Sequence, residues 1–354
     1  MNILNSTLAR ISTPDENIKS LALDRLNNQA RPQGSLGRME AVAARLAAIA
    51  GQLDVRLEKK VIVTCAGDHG VVQEGVSLFP KEVTAQMVYN FVRGGASINV
   101  LAKHAGALVK VADIGVDFDF EADLDILHKK VRKGTRNMAR EAAMTREEAQ
   151  TSVEAGISIV DELASGQGLD LIGTGDMGIG NTTPSTAIIA VFSGLPVRNL
   201  TGRGTGLDDK GLMRKTAVIE QALALNRPDP SDPLDVLAKV GGLEIGALAG
   251  LAIGAAARGI PVVCDGLIST AGAMIACELK PEVRKYLFAG HRSHEIGHEY
   301  MLRHLELSPL LDLELRLGEG TGAALAMELM DAATRILADI KTFAEVGIEN
   351  AQRT

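Results

Sequence analysis

The stretch LDLIGTGDMGIGN, Leu169 to Asn181, decides the fold. An apolar run enters it and four glycines, Gly173, Gly175, Gly178 and Gly180, close it. A short apolar run bounded by glycine reads as a buried strand that opens onto a tight loop. The same form returns five times: KKVIVTCAGDHG near 60, ALVKVADIGVD near 110, IPVVCDG near 262, KYLFAGH near 287 and LDLELRLGEG near 314. Helical patterns separate most of these runs. One of them, TREEAQTSVEAGISIVDELA, opens with Thr145 and Glu148 spaced as a capping box. Apolar strands that alternate with helices predict an α/β fold: a mainly parallel sheet with helices on both faces. Ligands of such folds gather at the carboxyl ends of the strands, which here are the glycine loops.

Both chain ends read as helical. TPDE, Thr13 to Glu16, has the spacing of a capping box with proline at the first helical position. A second helix runs through AVAARLAAIA. Ile336, Ile340 and Phe343 fall at helical spacing near the other end. These pieces predict a small helical domain, residues 1–55 with 331–354, beside an α/β domain over 56–330.

The chain has 354 residues, of which 46% are hydrophobic, so a large core needs no staples. A net charge of −7, with 3% aromatic residues and no tryptophan, disfavours nucleic acid and anionic membranes as partners. Cys65, Cys264 and Cys277 are scattered in apolar sequence and read as buried thiols of a reducing compartment. The first twenty residues lack the pattern of a secretory signal. The longest apolar run, Ile245 to Ala257, is rich in alanine and glycine and too short to span a bilayer. The expectation is a cytoplasmic protein.

GTGDMGIGNTTPSTAIIA places glycines before a helix that starts near Asn181 or Thr182, an arrangement suited to an anion such as phosphate. The order G-x-G-x-x-G occurs, but no acidic residue closes a second strand about 20 residues on, so a dinucleotide is disfavoured. TGRGTGLDDKGLMRK adds Arg203, Lys210, Arg214 and Lys215, either phosphate ligands or solvated turn residues. VVCDGLISTAG has the outline of a pyrophosphate-binding loop, with Gly266 where its second acid would stand. HEIGHEYMLRH, His294 to His304, matches the H-E-x-x-H zinc pattern. Gly297 weakens the required helix, and Met301 occupies the position of the glycine that would return the third histidine. In AGDHGVVQEGVSLFP, Asp68 and His69 are either an acid–base pair or loop caps. Glu319, alone between Gly318 and Gly320, is either a water-facing turn residue or an acid or base at the floor of a pocket.

Taken together, RPQGSLGRME, AGDHGVVQEGVS, GDMGIGNTT, TGRGTGLDDKGLMRK, CDGLISTAGA, GHRSHEIGH and GEGTGAALA, in order from 31 to 327, resemble the nicotinate-nucleotide–dimethylbenzimidazole phosphoribosyltransferases. The resemblance implies a Rossmann-like sheet, a small helical domain from both termini, a homodimer, and no metal or other cofactor. It implies transfer of phosphoribose from nicotinate mononucleotide to a benzimidazole-type base, with Glu319 as catalytic base. The backbone of Gly178, Ile179 and Gly180, with Lys215, would hold the donor. Ser293 would lie near it, and Asp176 stands where the family commonly has glutamate. Phe79 and Met87 would line the base pocket. Two other readings remain at this stage. One is a zinc hydrolase built on His294, Glu295, His298 and His304, and the other a non-catalytic nucleotide-binding regulator.

Overall fold

The computed structural model describes residues 2–204 and 206–349. Met1, Thr205 within the second glycine loop, and 350–354 at the end of the expected helical domain lie outside the described residues. Six strands form one sheet: β1 (Lys60–Gly67), β2 (Ala107–Gly115), β3 (Leu127–His128), β4 (Leu171–Met177), β5 (Val262–Cys264) and β6 (Leu287–Ala289). Every pairing is parallel and the order is β3-β2-β1-β4-β5-β6. The chain therefore reverses its direction of travel across the sheet between β1 and β4, which creates a crevice at their carboxyl ends.

All eight residues of β1 are buried, as a strand covered on both faces requires. One cover is the helix Leu243–Ala256, buried at every position. Its glycines are there for close approach. A Cβ on Gly250 would stand 1.9 Å from Val153 O, and one on Gly156 would stand 2.0 Å from Ala247 O. This helix thus lies backbone against backbone on Arg146–Gly166, which Thr145 and Glu148 cap reciprocally as expected. Across the sheet, the helix Thr321–Asp339 packs on β4 and continues between Glu16–Asn27 and Arg38–Ala50. One continuous helix therefore joins the sheet to the helices of the amino end. The first helix, Ile3–Leu8, docks elsewhere, on Arg146–Gly166, where the Leu4 amide donates to Glu154 Oε1.

Three local expectations fail. LDLELRLGEG forms no strand. Beyond a single bridge between His291 and Leu311 it is a loop, mostly exposed until Glu319; it follows the chain after β6, where the Arg292 and His294 amides donate to Leu311 O and Leu315 O at 2.8 and 3.0 Å, without extending the ladder. The amino-terminal helix starts at Glu16, capped by Asp15 and not by Thr13; Asp15 Oδ1 takes the amides of Asn17 and Ile18. The last long helix ends at Asp339, so Ile340 and Phe343 do not continue its face.

Candidate active site

At the carboxyl ends of β4, β5 and β6 the loops enclose a cavity of about 340 Å³. Glu319 is on its wall, and the backbone explains why. Gly318 (φ +83°), Glu319 (φ +65°) and Gly320 (φ +99°) are three consecutive residues in the left-handed region. A non-glycine residue held there costs about 1–2 kcal/mol, and such strain persists only where neighbours fix it. Here they do. Thr64 Oγ1 donates to Glu319 O at 2.9 Å, the Glu319 amide donates to Asp176 O at 3.2 Å, and the Gly320 amide donates to Asp265 Oδ2 at 3.0 Å. A Cβ on Gly320 would strike Ile62 Cγ2 at 2.6 Å, so the turn cannot be rebuilt with a larger residue. The Glu319 carboxylate, itself buried, accepts the Ile98 amide at 3.1 Å from the first turn of the helix Ser97–His104. Burial raises its pKa, the Ile98 amide opposes that, and the charge of Asp265 adds to it.

Asp265 stands at the end of β5, in the loop with the pyrophosphate-binding outline. It caps Thr321–Asp339 in place of the side chain that Gly320 lacks, taking the Gly322 and Ala323 amides at 2.7 and 3.2 Å. Its Oδ1 is 3.5 Å from His291 Nε2. Burial works against a charged His291 ring, but Asp265 outweighs it and the pKa is raised.

Asp176, at the end of β4, is buried and accepts from Asn181 Nδ2 at 2.8 Å. Its Oδ1 has no partner among the described residues. Burial, then the charge of Asp265, pushes its pKa up to about 8, against the Asn181 bond. Gly318 makes this approach possible, because a Cβ there would lie 3.2 Å from both Asp176 carboxyl oxygens.

Gly178 and Ile179 line the cavity, whereas Gly180 turns away at φ +86° against Val72. The Ile179 amide donates to Thr84 Oγ1 at 3.2 Å, which differs from the sequence expectation that it faces a ligand. Lys215 is fully buried behind the wall, with Nζ donating to Thr182 Oγ1 at 2.7 Å and to Gly202 O at 3.4 Å. Burial lowers its pKa to about 8, with Glu295 opposing. A Cβ on Gly204 would stand 3.7 Å from the ammonium, so glycine there leaves it unscreened. Ser293 lines the cavity and its Oγ takes the Glu295 amide at 3.3 Å. Phe79, 47% exposed, and Met87 form an apolar wall. The structure thus gathers every expected site residue around one cavity, with Gly180 and Lys215 just behind its surface.

Asp68 and His69 turn to different groups. His69 Nε2 is 2.7 Å from Glu244 Oε1 in the interior, and Asp68 Oδ2 takes the Asp117 amide. The histidines of the zinc pattern diverge. His294 is exposed and precedes the helix Ile296–His304. His298 is fully buried; its Nδ1 accepts the Ser293 amide at 2.9 Å, which leaves Nε2–H to donate to Thr270 Oγ1 at 2.9 Å. His304 pairs with Glu278. No group of side chains that could hold a metal ion occurs among the described residues.

Among the wall residues that the sequence did not single out are His291, Asn181, Leu317 and Arg316. Arg316 is exposed at the mouth and has no ion pair among the described residues. A charged residue two positions before the Gly318 turn was the available signal. Glu295, weighed only as a zinc-site base, lines the cavity with a buried Oε2 that has no partner among the described residues.

A glycine turn, a buried lysine and a recessed carboxylate gather around one cavity at the switch point of a parallel sheet, the arrangement of an α/β enzyme. The chain belongs to the phosphoribosyltransferase family whose profile matches residues 11–348. It is 58% identical to the nicotinate-nucleotide–dimethylbenzimidazole phosphoribosyltransferase of a Geobacter species, over 98% of this chain and 99% of that one. It is also 58% identical to the enzyme of that name from Citrifermentans bemidjiense, over 99% of this chain and 100% of that one. The crystal structure of CobT from Thermus thermophilus superposes with a TM-score of 0.91 at 46% identity, covering 95% of this chain and 100% of that one.

Proposed function

We propose that this chain transfers the 5-phosphoribosyl group of nicotinate mononucleotide to 5,6-dimethylbenzimidazole, giving α-ribazole 5′-phosphate and nicotinate for the nucleotide loop of cobalamin. The observation that carries the reading is the Glu319 carboxyl, buried by a strained turn in the wall of an apolar-sided cavity whose far side is the glycine loop.

The chemistry asks for little else. One ring nitrogen of the base attacks the anomeric carbon, and the bond to the pyridinium nitrogen breaks. Its electron pair returns to that nitrogen, so nicotinate leaves without needing a proton. The base's other nitrogen carries an N–H that becomes strongly acidic as the bond forms, and Glu319 accepts that proton. The raised pKa of Glu319 suits this role. Asp176, with a pKa of about 8, holds its proton at neutral pH and can donate from Oδ1. The Gly178 backbone, with Lys215 just behind the wall, holds the phosphate, and Ser293 lies beside the donor. Phe79 and Met87 flank the methylated ring, where an apolar wall favours a flat aromatic. The helices of both chain ends form a small accessory unit that braces the catalytic turn through Thr321–Asp339. The enzyme acts as a cytoplasmic homodimer. Among the described residues no helix is long and apolar enough to cross a membrane, and Phe79 and Leu317 leave an apolar rim at the cavity mouth.

The test mixes purified protein with nicotinate mononucleotide and dimethylbenzimidazole. Nicotinate and α-ribazole phosphate in equal amounts are expected. Donor binding with no nicotinate release, across benzimidazoles and purines, overturns the reading in favour of a non-catalytic binder.

A further inference from the structure

The helix Val83–Val92 divides the crest of the sheet into two basins. Phe79, Val83 and Met87 face the cavity over β4 to β6, whereas Glu82, Gln86 and Tyr89 face a second cavity over the ends of β1 and β2. That second cavity, about 360 Å³, is as large as the first. Both lie at carboxyl ends of parallel strands, on opposite sides of the β1–β4 reversal, where folds of this class bind ligands.

Its chemistry is specific. Asp68, which follows β1 and is 6% exposed, lines it. Asp68 Oδ2 holds the Asp117 amide at 2.8 Å, but Oδ1 has no hydrogen bond among the described residues. The Thr84 hydroxyl lies beside the carboxyl and favours its charged form against burial. A buried carboxylate oxygen left in this way asks for a donor. The opposite wall is aromatic. The chain has three tyrosines and seven phenylalanines, and Tyr89 and Phe118 line this cavity, 6.1 Å apart by centroid, with Phe120 packed behind them at 5.5 and 5.1 Å. Tyr89 OH is fixed by Glu121 at 2.6 Å, so its ring is held in place. Phe118 is 42% exposed. Three acids, Asp68, Glu82 and Asp117, face one lysine, Lys81, which is spent on Asp117 at 2.6 Å. The balance is negative and repels phosphate.

We propose that this cavity is a second binding site, for a small planar aromatic ring that bears an N–H donor or a protonated ring nitrogen. Asp68 Oδ1 takes the donor, and the Tyr89–Phe118 wall packs on the ring, as aromatic pairs prefer. Thr84, fully buried, lies between the two sites: it sits beside Asp68, and its Oγ1 accepts the Ile179 amide.

The test counts bound rings and needs no turnover. In equilibrium dialysis with dimethylbenzimidazole, and separately with adenine, the native chain should bind one ring per protomer more than Phe118→Ala does, for at least one probe. Asp68→Asn, which turns the free acceptor into a donor, should lose the same ring. Phe118→Ala, altered at an exposed position, should keep its turnover within twofold. Uptake by dimethylbenzimidazole alone names the reaction's own acceptor as occupant, and uptake by adenine alone names a free purine. Equal stoichiometry in the native chain and Phe118→Ala for both probes overturns the proposal.

Discussion

Two segments on the rim of one cavity, Gly318–Gly320 and His294–His304, both put acid–base residues at suggestive spacings, and only one of them builds a site. At the turn, three left-handed residues and three backbone hydrogen bonds leave the Glu319 side chain one direction to go. In the histidine segment the helix begins after His294, turns His298 into the core and sends His304 to Glu278. The lesson is that residue spacing carries chemistry only when the backbone delivers the side chains to one point. A strained carboxylate between two glycines is the better signal, because the strain has to be held by neighbours that a solvent-facing turn would not need.

The sharpest way to break this contrast is Glu319→Gln. The amide keeps the volume and can still accept the Ile98 amide, but it cannot take a proton. Turnover should fall by about 10² to 10⁴, the usual range for a lost general base, while nicotinate mononucleotide still binds. Single-turnover kinetics beside a donor titration separate the two, and a kcat within threefold of native would remove Glu319 from its role.

Lys215→Met comes next and should show in donor KM more than in kcat. Losing a charged hydrogen bond to phosphate costs about 1.5–3 kcal/mol, or roughly 10- to 150-fold. The same lysine sets a pH limit. Its pKa is lowered to about 8, so the cation is present below that value and is lost as pH rises through it. Donor KM should therefore climb above pH 8 in the native enzyme, and the corresponding limb should be absent from Lys215→Met. A limb that survives in the variant would assign it elsewhere, with Asp176 the next group to test.

His298→Ala sharpens the comparison from the other side. His298 is neutral, its pKa pulled down to about 3 by burial and the neighbouring His291. Removing it orphans the Ser293 amide and the Thr270 hydroxyl, which costs about 1–3 kcal/mol of stability. Thermal denaturation should shift down, with no change in metal content. A variant that melts like the native chain would mean that the interior network is not holding the Ser293 loop.

How much of this was legible beforehand follows the same line. Five of the six expected strand runs were found because their apolar pattern reports burial on both faces. The sixth failed because LDLELRLGEG alternates like a strand, and alternation says nothing about whether a segment closes more than one bridge to its neighbour. Glu319 was legible because glycines flank it and because the surrounding motifs resemble a family. Lys215 could be picked out of the second glycine loop through that resemblance, but its complete burial could not be read from a charged turn. His291, Asn181, Arg316 and the capping role of Asp265 were not legible. Asn181, Asp265 and His291 follow three different strands and Arg316 comes from the loop before the Gly318 turn, and that convergence exists only after the sheet order β1-β4-β5-β6 is known.

The smallest effect is expected at His294, and it closes the comparison. Its side chain is exposed, outside the helix, and remote in role from His298, whose Nδ1 is already an acceptor. His294→Ala should leave turnover within twofold and stability within about 0.5 kcal/mol, as for an ordinary surface position. Zinc content before and after substitution should not differ. If the native protein carried stoichiometric zinc and His294→Ala lost it together with activity, the loop from Arg292 to Glu295 would have to refold to bring His294 beside His298. The Ser293 amide would then have to leave His298 Nδ1, and the contrast between the two rim segments would collapse.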